Sequence, residues 1–447
     1  MRRNCVRTIA AGIAATALIP WLAFAQAAED SPEVTAILGA HVVDLAAGEI
    51  RRDAALVIEG ETIAAIGPAG EIDIPAEAER VRLAGKFLLP GLMNMHVHPG
   101  LVLPGRKAAE LANETEAELT LRMAENLRKS LYAGTTTVRL PGVNTGPNEQ
   151  LTSHADFAVK RAIEAGAIEG PRVFTAGMAV VPTGGHGSQR FEKGVDGPTQ
   201  IREHVRAQIS AGASWIKLMI SRGIASRRGD IAKADLSPQE MRVAIETAHR
   251  RGAKVTAHNG SPVAAMEAME AGIDGFEHGY YFTEKVLRRM KAEGVWYVPT
   301  IVVAQEGVMP FFEKIGSPDW YLERVEAVGE KHWRALQTAI DVGVKIAMGS
   351  DQPPYEPNSG TVASVRETEL YAETGMSNLE ALRAAMVNPA EMLGADKLGG
   401  LQTGNYADVI AVDSNPLEDI SALRSIGFVM KGGRVVRDDG VSPGKGE

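Results

Sequence analysis

Cysteine is all but missing. The 447 residues contain one, Cys5, in an N-terminal stretch unlike the rest of the chain. Beyond that stretch no disulfide can staple the fold and no thiolate can hold a metal, so a metal site must be built from histidine, carboxylate and less usual ligands. Positive charge is not in excess either: 47 Lys and Arg face 56 Asp and Glu, a formal net charge of −9. That balance argues against a nucleic-acid partner, and short basic clusters such as Arg288 to Lys291 read as solvated faces. The apolar run from Ile9 to Phe24 is shorter than the ~20 residues a bilayer-spanning helix needs. Arg2, Arg3 and Arg7 precede or border it, and Ala23-Phe24-Ala25 or Ala25-Gln26-Ala27 offers a small-x-small cleavage site. Residues 1–27 are therefore expected to be a signal peptide, giving a periplasmic or secreted protein with no stable membrane insertion after its removal. The Arg2-Arg3 pair leaves Sec and twin-arginine export both open.

What remains is ordinary globular composition, 45% hydrophobic and 23% charged, enough for a large core. From Phe87 to about residue 350, β-prone apolar runs alternate with amphipathic stretches. Eight runs read as strands: Phe87 to Met93, Thr135 to Leu140, Arg172 to Ala176, Trp215 to Ile220, Lys254 to Ala257, Gly275 to Glu277, Val295 to Pro299 and Lys345 to Met348. Helices such as Glu116 to Tyr132, Asp156 to Ala165, Pro238 to Arg251 and Glu323 to Asp341 fill the gaps. The pattern predicts an α/β fold, a (β/α)8 TIM barrel over residues 87–397. Residues 33–86 and 398–437 are Gly-punctuated and strand-like, and each is too small for a core of its own. They are expected to pair into one small β-sandwich formed by both chain ends.

The strand ends carry the chemistry. His96 and His98 follow the first strand, two apart and so able to point the same way. His258 ends the fifth strand, His278 the sixth, and Asp351 follows the eighth. In a barrel of this kind the C-terminal strand ends form the active face. Five metal-ligand candidates at that position point to a metal site. Lys217 stands in the apolar strand Trp215-Ile-Lys-Leu-Met-Ile220, where an ammonium is costly to bury. Burial lowers a lysine pKa, and a neutral amine adds carbon dioxide to give a carbamate whose two oxygens can bridge two metals.

Taken together, several segments resemble the amidohydrolase superfamily, and within it the branch of imidazolonepropionase-like proteins and metal-dependent Xaa-Pro or Xaa-Arg dipeptidases. They are Leu89-Pro-Gly-Leu-Met-Asn-Met-His-Val-His98, Gly134-Thr-Thr-Thr-Val-Arg139, Gly170-Pro-Arg-Val-Phe174, Thr183-Gly-Gly-His-Gly187, Gly212-Ala-Ser-Trp-Ile-Lys217, Glu277-His-Gly279, Gly349-Ser-Asp351 and the tail segments Gly404 to Val409 and Val429 to Val435. The resemblance implies two divalent metal ions, usually zinc. His96, His98 and Asp351 would hold one, His258 and His278 the other, with carboxylated Lys217 between them. It also implies a shared hydroxide that hydrolyses an amide bond in a small molecule: a dipeptide, an N-acyl amino acid or an amide-linked natural product. Asp351 would pass the proton to the leaving amine. His186, in a Gly-rich loop, is a candidate oxyanion or substrate-carbonyl donor. Arg139, at the end of the second strand, would either bind a substrate carboxylate or pair with a neighbouring acid.

The pattern departs from the dipeptidases at Gly260, where relatives often carry an aromatic or a second histidine. Arg222, Arg227, Arg228, Tyr280 and Tyr281 could grip substrate instead, since they follow the fourth and sixth strands on the same face. The Gln352 to Asn358 segment, stiffened by prolines, is expected to wall the pocket. Deamination, or opening of a cyclic amide or lactone, is the alternative on the same scaffold; a non-catalytic periplasmic binding protein is a third. The pattern leaves room for a homo-oligomer.

Overall fold

The computed structural model describes residues 34–440 apart from 112, 143–153, 188–193 and 358–359. The expected signal peptide, and Asn358 at the end of the expected pocket wall, lie outside the described residues. Among these residues no helix is long and apolar enough to cross a membrane.

The strands, in chain order, are β1 (Val34–Asp44), β2 (Glu49–Glu59), β3 (Thr62–Pro68), β4 (Glu79–Arg82), β5 (Phe87–Pro90), β6 (Leu92–Asn94), β7 (Thr135–Leu140), β8 (Arg172–Thr175), β9 (Trp215–Met219), β10 (Lys254–Asn259), β11 (Gly275–His278), β12 (Trp296–Val298), β13 (Val409–Val412), β14 (Phe428–Lys431) and β15 (Arg434–Asp438). The two chain ends share one eight-stranded sheet, ordered β15-β14-β13-β5-β1-β2-β3 with β4 beside β1. Where two packed sheets were expected, one continuous mixed sheet is found. Ile37, Leu56, Ile58, Leu88, Val409 and Phe428 form a core of their own on it.

The first strand expected between the ends, Phe87 to Met93, is two strands. β5 belongs to the terminal sheet, pairing with β1 and β13, whereas β6 pairs with β7. The break falls at Gly91, where a Cβ would stand 2.2 Å from the Thr136 hydroxyl oxygen. Only glycine lets the chain cross there.

Every ladder in the middle of the chain is parallel, in two sheets ordered β6-β7-β8 and β9-β10-β11-β12. The architecture is therefore α/β. A parallel bridge pairs Val180, beyond the end of β8, with Leu218 of β9. The expected eighth strand, Lys345 to Met348, forms no ladder; it contributes one bridge, Ile346 to Tyr297, and the Met348 carbonyl accepts from Met95 N at 2.7 Å. Helices run between the strands, and several bury a single stripe. Glu116–Tyr132 buries Leu119, Met123, Leu127 and Leu131, spaced by four, and starts with a capping box between Thr115 and Glu118. The helix expected from Glu323 begins a turn earlier, at Asp319, directly after Pro318. That extra turn carries Trp320 and Tyr321.

Candidate functional site

Strand geometry explains which side chains meet. Along β9, Ile216 and Leu218 enter the outer core, while Lys217 and Met219 line a cavity of about 220 Å³. The same cavity is lined by His96, His98, His258, His278, Asp351, His186 and Tyr280. Its floor is thus polar. Leu101, Val102, Leu103 and Pro104 from the loop after β6, with Ile224 and Trp320, make the walls apolar. A concave apolar pocket with convergent polar groups at its base is the usual form of a small-molecule site.

Alternation alone does not explain β11. Glu277 and His278 are consecutive, and in a regular strand they would face opposite ways. Both instead turn inward: Glu277 reaches His96, and His278 lines the cavity. His278 has φ 63°, which breaks the alternation. Thr300 (φ 54°) and Asp351 (φ 55°) also sit in the left-handed region. For a β-branched threonine that conformation is strained, and its hydroxyl is used, lying 2.7 Å from His278 Nδ1. Such strain concentrates at functional sites.

The hydrogen bonds of the histidines fix what they offer. His96 Nδ1 lies 2.7 Å from Glu277 Oε2, and His98 Nδ1 lies 2.9 Å from the Gly142 carbonyl. Burial pushes the Glu277 carboxyl up, but Arg139, His96 and Lys217 overcome this and hold it well below the usual carboxylate range. Both partners are acceptors, so each Nδ1 donates and each Nε2 is left with a bare lone pair. The two Nε2 atoms face each other at 3.1 Å and approach Asp351 Oδ1 at 3.2 and 3.3 Å. Three electron pairs converge with no proton among them, which is the environment of a cation. Burial keeps His98, His258 and His278 neutral by lowering their pKa values. Lys217 is 1% exposed. Burial brings its ammonium down to about 8, against the pull of Glu277. The donor set fits divalent metal.

The other expected contacts divide. His186 reaches the cavity, its Nδ1 2.7 Å from Ser226 Oγ and its ring stacked 4.0 Å from that of His258. Tyr280 reaches it too, stacked on His278 at 5.1 Å, and burial with Asp351 nearby holds its phenol protonated. Arg139 does not. It is fully buried, donates from Nε to the Met95 carbonyl, and pairs with Glu277 at 2.5 Å, so the structural alternative for it is the one found. Arg222 pairs with Asp235 at 3.0 Å and offers the site only its backbone carbonyl, 3.2 Å from His258 Nε2. Tyr281 lies outside the cavity lining, its ring under the Lys331 ammonium. Of the Gln352 to Asn358 segment, Gln352 lines the cavity, while Tyr355 ties back to the Leu101 carbonyl.

Gly260, where the dipeptidase pattern often carries an aromatic or a second histidine, has no room for either. A Cβ there would lie 2.3 Å from Ile231 and 3.0 Å from the Tyr280 ring. Gly260→Ala should therefore lower stability by about 1–3 kcal/mol through overpacking. Thermal unfolding checks this; an unchanged midpoint would show that Ile231 yields freely.

Residues 87–436 match the amidohydrolase family. Ochratoxinase of Aspergillus niger is 32% identical over 93% of this chain and 89% of its own length. Its solved structure superimposes with a TM-score of 0.76, at 30% identity, covering 92% of this chain and 97% of that one. A Xaa-Pro dipeptidase with methionine bound in its active site superimposes with a TM-score of 0.81, at 27% identity over 90% of this chain and all of the other.

Proposed function

The chain belongs to the amidohydrolase family and is a hydrolase acting on amide bonds; from that premise we propose that it is a binuclear metal enzyme whose substrate is a small amide with an apolar acyl part. The observation that carries the metal reading is the meeting of His96, His98 and Asp351 through bare acceptor atoms. In this reading the two parallel sheets and the 345–348 segment close into a (β/α)8 barrel. The Val180 to Leu218 bridge, the Tyr297 to Ile346 bridge and the Met95 to Met348 hydrogen bond support closure at each seam. Residues 34–90 and 409–438, which share the terminal sheet, form the accompanying β domain, and export follows from residues 1–27.

His96, His98 and Asp351 would hold one divalent ion, zinc by preference. His258 and His278 would hold the second, with the Lys217 carbamate as the group between them. When bound, such ions lower the pKa of water to near neutrality and polarise a carbonyl. The residues supply the rest. Asp351 accepts the proton of the attacking water and delivers it to the leaving nitrogen, so that amide and water become carboxylic acid and amine. His186 and the protonated Tyr280 face the cavity as donors to the oxygen that gains charge.

No arginine lines the cavity among the described residues, which argues against a strict dipeptidase gripping a substrate carboxylate through a guanidinium. The apolar walls favour a bulky acyl group, and ochratoxin, the compound in the fungal relative's name, is the first to assay. Deamination is less well supported, since a bridging Lys217 suits a binuclear hydrolase. The metal-loaded protein should release amine from ochratoxin or from N-acyl amino acids. Failure across both sets, with metal bound, would overturn the amide assignment of the pocket. Trp320→Ala should raise KM for N-benzoyl-L-phenylalanine by about 10- to 150-fold with little change in kcat, because an aromatic contact worth ~1.5–3 kcal/mol is lost from binding alone. A fall in kcat instead would place Trp320 against the reacting atoms.

A further inference from the structure

Glu277 has no part in the reading above, yet its carboxylate is engaged on every side. It is fully buried. Oε2 accepts from His96 Nδ1 at 2.7 Å, and Oε1 accepts from Arg139 Nη2 and from the Thr256 hydroxyl. Arg139 is locked in its turn by the Met95 carbonyl and by the Trp215 ring, 4.6 Å below its guanidinium. A buried ion pair of this kind is seldom favourable for stability alone, because desolvation offsets most of the attraction. Its geometry serves a different end. A carboxylate has no proton to give, so the His96 proton must sit on Nδ1. The lone pair is then on Nε2, the atom that stands 3.1 Å from His98 Nε2 and 3.2 Å from Asp351.

We propose that Glu277 is a positioning residue: it fixes the tautomer and orientation of His96 and raises its basicity toward a divalent cation, while Arg139 and Thr256 hold the carboxylate in place. Carboxylate partners of metal-ligating histidines act in this way, and their loss weakens metal affinity. The inference rests on the metal reading of the preceding section.

The test titrates metal-stripped wild type, Glu277→Gln and R139M/E277L with Co2+, followed by d–d absorption and equilibrium dialysis, with thermal unfolding recorded beside them. Glu277→Gln strands the Arg139 charge and risks misfolding. R139M/E277L removes both charges at similar volume and keeps the core apolar. Both variants should bind Co2+ about 10–100-fold more weakly than wild type, with an altered d–d band. A folded R139M/E277L that binds Co2+ within about twofold of wild type would make the pair merely structural and overturn this proposal alone. A wild type that takes up no Co2+ would overturn the metal reading and this proposal with it.

Discussion

Lys217→Ala is expected to remove turnover and bound metal together. Lys217 is 1% exposed, faces the cavity from the middle of β9, and accepts no ion pair among the described residues. A buried ammonium without a counter-ion is costly; a carbamate between two cations is not. Alanine would leave His258 and His278 without a bridge to the other three ligands. Since metal assistance is worth several kcal/mol and each 1.4 kcal/mol is tenfold, activity should fall at least about 10³-fold. Metal analysis and amine release on the same sample check both halves. Full activity in the variant would refute the bridging role. The wild type offers a matching pH test. Carbamate formation uses the neutral amine, which gains population as pH rises through about 8. At fixed dissolved carbon dioxide, reactivation of stripped protein by metal should therefore accelerate through that range, and a flat profile would count against carboxylation.

Asp351→Asn should cost kcat about 10²–10⁴-fold while KM changes little, the signature of a lost proton carrier. Asparagine is the informative replacement because Asp351 holds φ 55°, a conformation asparagine tolerates better than most residues. It also keeps an oxygen for the position 3.2 Å from His96 Nε2. In the resting protein the Asp351 carboxylate faces the bare Nε2 atoms of His96 and His98 at 3.2 and 3.3 Å, so it has acceptor positions and no proton of its own there. Metal content must be measured alongside. Equal losses in kcat and in substrate binding, with metal retained, would show that Asp351 does not shuttle the proton.

Much of this site was readable before any coordinates. Residues that end apolar strands in a parallel α/β chain must gather at one face, so His258, His278 and Asp351 could be placed together without knowing a single distance. Lys217 was readable for the opposite reason, as a charge where its strand neighbours are apolar. Other features were hidden by the same logic. Period-two alternation assigns Glu277 to the face opposite His278, and nothing in the letters announces the positive φ that brings both inward. Arg139 ends a strand like the ligands do, and only its burial against Glu277 and Trp215 tells a structural cation from a substrate contact. Trp320 and Tyr321 belong to a helix whose periodicity says which residues are apolar, not which cavity its first turn overhangs. The eighth strand was apolar enough to be expected, but it forms a single bridge, to Tyr297, because Met348 gives its amide to the Ala384 carbonyl instead of a neighbouring strand.

The terminal sheet bears on how the molecule is made. β5 lies between β1 and β13, and Leu89 pairs with Ile410, roughly three hundred residues further along. Translation at ~5–20 residues per second leaves tens of seconds in which β5 has been synthesised but its second neighbour has not. During that interval one edge of β5 is bare, a few residues upstream of His96. Exposed edges invite pairing with other chains. The order of synthesis thus leaves the terminal sheet waiting on the tail of the chain, and the nascent protein needs protection at the strand that leads into His96.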